Sequence, residues 1–387
     1  LGLIGNLGVG LAAAAMAVAM QLAPPLPRGR WLGLLNLAAL LAVLGPLPTA
    51  GAGIATLGVW ALGAVRSRGI GGSAGLALAG IPILALLILY KLAREGVLPV
   101  CNSGLDCPGG IALGVLTALS FSYAALRCLD YLRAVGEGEP GSDPLTLSGY
   151  LFPFHMLVAG PIAAYGDFRA IEQAPRARAT FRCLLVCANL IATGLVYKLV
   201  LAEGLRIFVS GVEPQPIPTA WWGGAYLLVY LFFDFAGYSL IALGIGRLCG
   251  IPTPVNFDRP FASATVTEFW TRWHISLGAI VRNNLYLPLQ IALVRRLGIR
   301  HSAAIAFFTT SASFAFVGLW HRLSPMFLVW GLLLGLAMAI EKPVRNRLAA
   351  SPRWRTPAGA AAGRILGPIY VFVLVSASLQ LVAQEVM

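Results

Sequence analysis

Stretches without a formal charge recur along the chain, at 1–27, 31–65, 69–90, 107–126, 144–166, 183–197, 214–233, 301–321, 323–340 and 365–383. A helix rises 1.5 Å per residue, so about 20 apolar residues cross the hydrocarbon of a bilayer. The stretch 31–65 is long enough for two crossings, with Gly45-Pro46 to Gly51 as the turn. Backbone polar groups in lipid must pair within their own segment, so these segments are predicted as helices. Ala, Leu and Gly dominate them, which suits close helix–helix packing. The pattern predicts an all-α polytopic membrane bundle of about ten helices. Segment 144–166 carries Pro153, Gly160 and Pro161, and is expected to be re-entrant. Residues 247–300 break the rhythm with Arg247, Asp258, Arg259, Glu268, Arg272, Arg282, Arg295, Arg296 and Arg300 among many aromatics. That region is too polar for a simple span and is expected to form interfacial or re-entrant helices. No internal repeat is evident.

Composition supports the membrane reading. Of 387 residues, 58% are hydrophobic and 11% charged, against roughly 25% charged in a soluble domain. The mean hydropathy is +0.80. The net charge of +13 fits Arg-rich cytoplasmic loops facing anionic headgroups, and no nucleic-acid-binding motif accompanies it. Arg28/Arg30 and Arg66/Arg68 flank the 31–65 pair and are expected on one side, the cytoplasm. Arg169, Arg176, Arg178 and Arg182 form a second such cluster. Residues 1–27 begin without a basic region and do not read as a cleavable leader. Cys101 and Cys107 bracket a polar loop that suits either an extracytoplasmic disulfide or two free thiols. Cys183 and Cys187 share a helix face. No Cys-x-x-Cys pair exists, and no metal site is expected.

A membrane protein that concentrates charge and aromatic rings in one region is expected to have its site there. His321 closes Phe316-Val317-Gly318-Leu319-Trp320-His321, in a short break between two apolar runs. Ser324 is placed to cap the next helix and Pro325 to occupy its first turn. By hydropathy alone His321 reads as an interfacial histidine; beside Trp320 in a low dielectric it reads as a neutral base. His274 lies in Thr267-Glu268-Phe269-Trp270-Thr271-Arg272-Trp273-His274-Ile275-Ser276-Leu277. On one continuous helix, Glu268 and Arg272 pair, Trp270 shares a face with His274, and Trp273 with Leu277. An aromatic belt with a structural ion pair explains most of that string without chemistry. Asp234 stands as the sole charge between Glu213 and Arg247. A buried carboxylate needs a partner, a ligand or a raised pKa, and an Arg from 247–300 is one candidate partner. His155, on the expected re-entrant segment, is a weaker candidate, and His301 is expected to be interfacial.

Four motifs in order carry a resemblance. They are Phe-Phe-Asp-Phe-Ala-Gly-Tyr-Ser at 232–239, Gly-Ile-Pro-Thr-Pro-Val-Asn-Phe-Asp-Arg-Pro-Phe at 250–261, Glu-Phe-Trp-Thr-Arg-Trp-His-Ile-Ser-Leu at 268–277, and Gly-Leu-Trp-His at 318–321. Gly160-Pro161 with Tyr165 and Phe168, and Tyr197-Lys198, add to them. Together they resemble the membrane-bound O-acyltransferase superfamily, in its bacterial polysaccharide-modifying branch. The first two motifs are similar to the D-alanyl exporter of teichoic acid synthesis. Residues 267–277 with Leu285-Tyr286-Leu287-Pro288-Leu289 are similar to the alginate acetylation protein. The likeness covers roughly 118–342. It suggests an N-terminal helical part at 1–117, a core at 118–342 and a C-terminal loop and helix at 343–387, within one structural domain. Family members usually continue Trp-His with Gly, where this chain has Arg322. After His274 the branch usually has an Arg-Asp-Tyr-like run, where this chain has Arg282-Asn283-Asn284-Leu285-Tyr286.

The resemblance implies that His321 is the catalytic histidine inside a funnel or tunnel, with His274 as the second. Asp234, Tyr238, Asn256, Trp270, Arg272, Trp273 and Trp320 would be the substrate-binding set. It implies O-acyl transfer with no bound cofactor. The donor is an acyl thioester on coenzyme A or on a phosphopantetheine carrier protein at the cytoplasmic face. The acceptor is a hydroxyl of an exported or cell-envelope glycan, or an extracytoplasmic partner acyltransferase that completes the transfer. The implied place is the bacterial cytoplasmic membrane, among lipids and without nucleic acid. D-alanyl transfer to a teichoic-acid-like polymer stays open as an alternative. So do a transporter or flippase, in which Asp234 and the histidines form a path, and a scaffold that recruits soluble enzymes.

Overall fold

The computed structural model describes residues 15, 19, 28–68, 72–98, 108–173, 180–211, 222–251, 253–350 and 356–386. The Cys101–Cys107 loop, Arg176, Arg178 and nearly all of the 1–27 stretch lie outside them. Helices dominate, and among the described residues no strand forms beyond an isolated antiparallel bridge between Phe257 and Trp273. Seven helices among the described residues are long and apolar enough to cross a membrane, or eight if one bent pair counts as a span. They are Pro46–Ser67, Phe181–Val209, Gly223–Cys249, Ile275–Leu297, Ile299–His321, Pro325–Arg347 and Ala361–Glu385. The bent pair is Pro108–Ala118 with Phe121–Gly136, which meet at 72°. The protein is a multi-pass helical membrane protein.

One of the expectations needs correction. Residues 275–297, expected to be interfacial, form an apolar helix of spanning length. Arg282 opens a short π-helical turn, Arg282–Tyr286, and Arg295 and Arg296 lie in the last turn, next to the helix C-terminal dipole.

The chain divides into two compact units, residues 1–193 with 238–254, and 194–237 with 255–387. In the first, helices Arg28–Leu44 and Pro46–Ser67 meet at Gly45, whose φ of 86° reverses the chain. The segment after Pro144 is broken, as its prolines require: helix Pro144–Leu151, a 3-10 turn Phe154–Met156, then irregular backbone to helix Tyr165–Gln173. Backbone groups freed by such a break need partners inside the protein. Asn36 serves both sides of Pro153, donating to the Phe152 carbonyl at 3.0 Å and accepting from Phe154 N–H at 2.8 Å. Arg127, fully buried, donates to the carbonyls of Leu151, Met156 and Pro161 at 3.3, 3.1 and 3.4 Å. Asp130, one turn further on, accepts from Tyr150 Oη at 3.2 Å, Tyr165 N–H at 2.8 Å and Arg133 at 2.9 Å.

The second unit is built on the hairpin of Ser302–His321 and Pro325–Ala350. Glycine lets these two backbones touch. A Cβ on Gly318 would stand 2.1 Å from the Phe327 carbonyl oxygen, and one on Gly331 2.2 Å from that of Phe314. Small residues at such crossings give the dispersion contacts that hold helices together in lipid. Ser324 caps the second helix, its hydroxyl accepting from Phe327 N–H at 3.2 Å, and Pro325 takes the first position, both as expected. Phe269, Phe327, Trp330, Leu334, Val371 and Val375 form the core that ties this hairpin to the remaining elements of the unit.

Candidate active site

The second unit contains both motif histidines. His274 stands at a joint rather than within a helix. The preceding helix, Val266–Arg272, is short and held at its N-terminus by three acceptors. Thr265 Oγ1 accepts from Glu268 N–H at 3.0 Å, and Glu268 reaches back to Ala264 N–H at 2.8 Å. Glu341 arrives from helix Pro325–Ala350 and accepts from Val266 N–H at 2.7 Å and from Thr267 N–H at 3.1 Å. Two carboxylates at a helix N-terminus satisfy orphan donors and complement the dipole. Glu341 was not legible as a site residue; its single sequence signal is a lone acid closing an apolar run. Replacing Glu341 by alanine is expected to cost about 0.5–2 kcal/mol, the worth of a lost cap, read as a lower thermal midpoint in detergent.

Glu268 and Arg272 pair at 2.7 Å, as their spacing predicts. The expected continuation of the helix to Leu277 does not occur. Trp273 turns extended and pairs with Phe257; Asp258 N–H donates to the Arg272 carbonyl at 3.0 Å, and Ile275 N–H to the Asn256 carbonyl at 3.0 Å. These cross-chain bonds satisfy the backbone that the helix abandons. His274 then takes φ 47° and ψ 51°, the left-handed region. That conformation costs a non-glycine residue roughly 1–3 kcal/mol and persists only where surroundings over-determine it. Helix Ile275–Val281 starts directly after.

The His274 side chain is buried and meets Phe235 edge-on at 4.6 Å. Its Nδ1 is 3.2 Å from Asn256 Oδ1. Its Nε2 is buried without a hydrogen-bond partner. Burial first, and the His321 ring second, hold His274 well below the usual imidazole range, so it is neutral at pH 7. Around it the walls are aromatic. Trp273 stacks on Phe269 at 5.4 Å and meets Phe257 edge-on at 5.1 Å. Trp270 contacts Phe314 and Trp330, and its indole N–H is buried without a partner.

His321 is the last residue of Ser302–His321. Trp320, buried, meets it edge-on at 4.9 Å, and Trp330 lies at 6.0 Å. His321 is exposed on the surface of the chain, at the end of a helix of spanning length. Arg322, which follows it, is paired with Glu385 at 3.7 Å.

The remaining expected residues are engaged in different ways. Asp234 is ion-paired with Lys198, not with an arginine from 247–300. Lys198 sits in a π-helical stretch, Val196–Ala202, a distortion frequent at functional sites. Both partners are about one-third exposed in helices of spanning length. Replacing Lys198 by methionine strands the carboxylate and is expected to lower the yield of monodisperse protein. The double replacement with Asp234→Leu is expected to exceed either single variant, as gel filtration would show. Arg272 is occupied by Glu268. Tyr238 belongs to the first unit, where its hydroxyl donates to the His155 carbonyl at 3.3 Å. His155 is buried with Nε2 3.0 Å from Thr253 Oγ1, and burial pushes it down to about 3. His301 is exposed. Cys183 and Cys187 do share a face, with sulfurs 4.0 Å apart. Among the described residues no group of three His, Cys, Asp or Glu side chains is arranged to hold a metal ion.

Residues 139–380 match the family model described as MBOAT, membrane-bound O-acyltransferase family. The chain is 29% identical over 269 residues to the probable alginate O-acetylase AlgI of Pseudomonas syringae pv. tomato, covering 67% of this chain and 50% of that protein. It is 28% identical over 225 residues to the teichoic acid D-alanyltransferase of Bacillus subtilis, covering 56% and 57%. It is 28% identical over 194 residues to the peptidoglycan O-acetyltransferase of Helicobacter pylori, covering 49% and 36%. The chain spans about half the length of the first of these relatives.

Proposed function

The chain belongs to the membrane-bound O-acyltransferase family, and we propose on that premise that it moves an acyl group from a cytoplasmic thioester to a hydroxyl of an exported or cell-envelope glycan. The observation that carries the reading is the pair of histidines in one unit: His274, buried with an unpartnered Nε2, and His321, set against the buried Trp320 and Trp330. Relatives named for alginate, teichoic acid and peptidoglycan support an envelope polymer as acceptor.

The reaction needs little from the protein beyond placement and one base. His321 takes the proton of the attacking hydroxyl. The oxygen bonds to the thioester carbonyl carbon, the carbonyl oxygen becomes negative, and its collapse expels the thiolate. The thiolate leaves with the proton held by His321, so the histidine returns neutral. An exposed imidazole suits this role, because the acceptor can reach it. The unpartnered Trp270 N–H is a ready donor to the developing oxyanion, and a preorganised donor in an aromatic wall needs no reorganisation. Holding both substrates in one site supplies the proximity term. The donor is coenzyme A or a phosphopantetheine carrier protein, the place is the cytoplasmic membrane, and the acceptor is the polymer or a partner that completes the transfer. Incubating the purified chain in nanodiscs with radiolabelled acetyl-coenzyme A or D-alanyl carrier protein tests the reading. Label passing to an envelope polysaccharide supports it; uptake of a substrate into proteoliposomes without any acyl donor would favour transport instead.

A further inference from the structure

The surroundings of Asn256 determine which nitrogen of His274 bears its proton. Asn256 Oδ1 lies 3.2 Å from the backbone N–H of Ser276 and 2.7 Å from its hydroxyl. A backbone N–H only donates, so the Asn256 atom facing Ser276 is the amide oxygen and not the nitrogen. The same oxygen faces His274 Nδ1 at 3.2 Å. An oxygen that accepts from Ser276 cannot donate to the ring, so Nδ1 is the nitrogen that carries hydrogen. In a neutral imidazole the other nitrogen then holds a lone pair. That nitrogen, Nε2, is buried and has no partner. Leaving a buried acceptor unpaired is unfavourable, and the left-handed backbone at His274 shows that the surroundings hold this residue against its local preference.

We propose that Asn256 is a positioning residue that fixes His274 as the Nδ1–H tautomer, so that the site offers substrate a hydrogen-bond acceptor at Nε2. This rests on the acyl-transfer reading and deepens it. The attacking hydroxyl has a single proton, and His321 takes it. An amide N–H on the arm of the thioester donor has the chemistry to donate to Nε2. His274 is thereby excluded as an oxyanion donor, and the two histidines have opposite duties: one moves a proton, the other holds the donor arm.

Nitrogen NMR on protein with ¹⁵N-labelled histidine in nanodiscs at pH 7 tests this without any turnover. His274→Gln identifies the signals. A pyrrole-type Nδ1 and a pyridine-type Nε2 are expected; an Nε2–H tautomer or an imidazolium overturns the inference. Asn256→Ala is expected to populate both tautomers and to raise KM for the donor about 2- to 10-fold, the worth of one hydrogen bond, with a smaller change in kcat. Asn256→Asp keeps an acceptor opposite Nδ1 and restores the tautomer and KM. A purely structural Asn256 would lower the thermal midpoint while leaving the tautomer and KM unmoved. Adding a non-hydrolysable acetyl-coenzyme A analogue is expected to shift Nε2; a shift with glycerol alone assigns Nε2 to the hydroxyl and overturns the division of duties. The Nδ1–H tautomer in a protein that transfers no acyl group would sink the functional reading and leave the tautomer standing.

Discussion

Exchanging Asp130 for alanine is expected to destabilise the first unit by roughly 3–5 kcal/mol, the cost of breaking a buried ion pair by removing one partner. Asp130 is fully buried and joins three groups from three places: Arg133 on its own helix, the Tyr150 hydroxyl, and the Tyr165 backbone N–H. Tyr150 lies before the Pro153 break and Tyr165 after it. The carboxylate therefore clips the two ends of a segment that has no continuous helix to hold it. Alanine leaves a hydroxyl and a backbone N–H unpaired in the interior, each worth about 1–3 kcal/mol. Asparagine keeps one acceptor oxygen and should cost less than alanine. Denaturant titration in detergent, followed by tryptophan fluorescence or circular dichroism, orders the three proteins. A wild-type midpoint for Asp130→Ala would show that the clip contributes nothing.

Loss of His321 is expected to have the larger effect on turnover. Removing a general base costs typically about 10²–10⁴-fold in rate. His321→Ala should therefore lower kcat for acyl transfer by that factor, with the donor KM little changed. Stability should hold, because the ring is exposed at the last residue of its helix and the hairpin is fixed by Gly318, Gly331 and the core below them. Wild-type kcat in the purified variant would remove His321 from the proton transfer.

The spans were legible because their apolar runs are long and nearly free of charge, and the lipid requirement leaves helices as the answer. Residues 275–297 were not. They have the lowest mean hydropathy of the seven, 1.2, and arginines at a π-helical turn and a helix end look in sequence like a surface. The prolines of 144–166 announced a break, yet not the side chains that make a break affordable. Asn36 and Arg127 come from other helices, 116 and 24 residues away from their first partners. At the site, the Glu268–Arg272 pair followed from spacing alone. The end of the helix at Arg272 did not, because it depends on Phe257 pairing with Trp273, which periodicity cannot register. The same holds for Glu341, which caps that helix from 75 residues downstream. For Asp234, sequence left a partner, a ligand or a raised pKa open, with an arginine from 247–300 as one candidate partner; the partner is Lys198, from another helix of spanning length. The histidines stood out chiefly through the motifs around them, and hydropathy by itself gave His321 an interfacial role.

Mass spectrometry of envelope polymers tests the central claim most directly. Cells carrying the wild-type protein would be compared with cells carrying His321→Ala at equal protein level. An acyl mass present on a polymer in the first and missing in the second is the expected result, and its value names the group transferred. Identical polymers, with every acyl mass retained in the variant, would contradict the assignment of this chain as an envelope acyltransferase acting through His321.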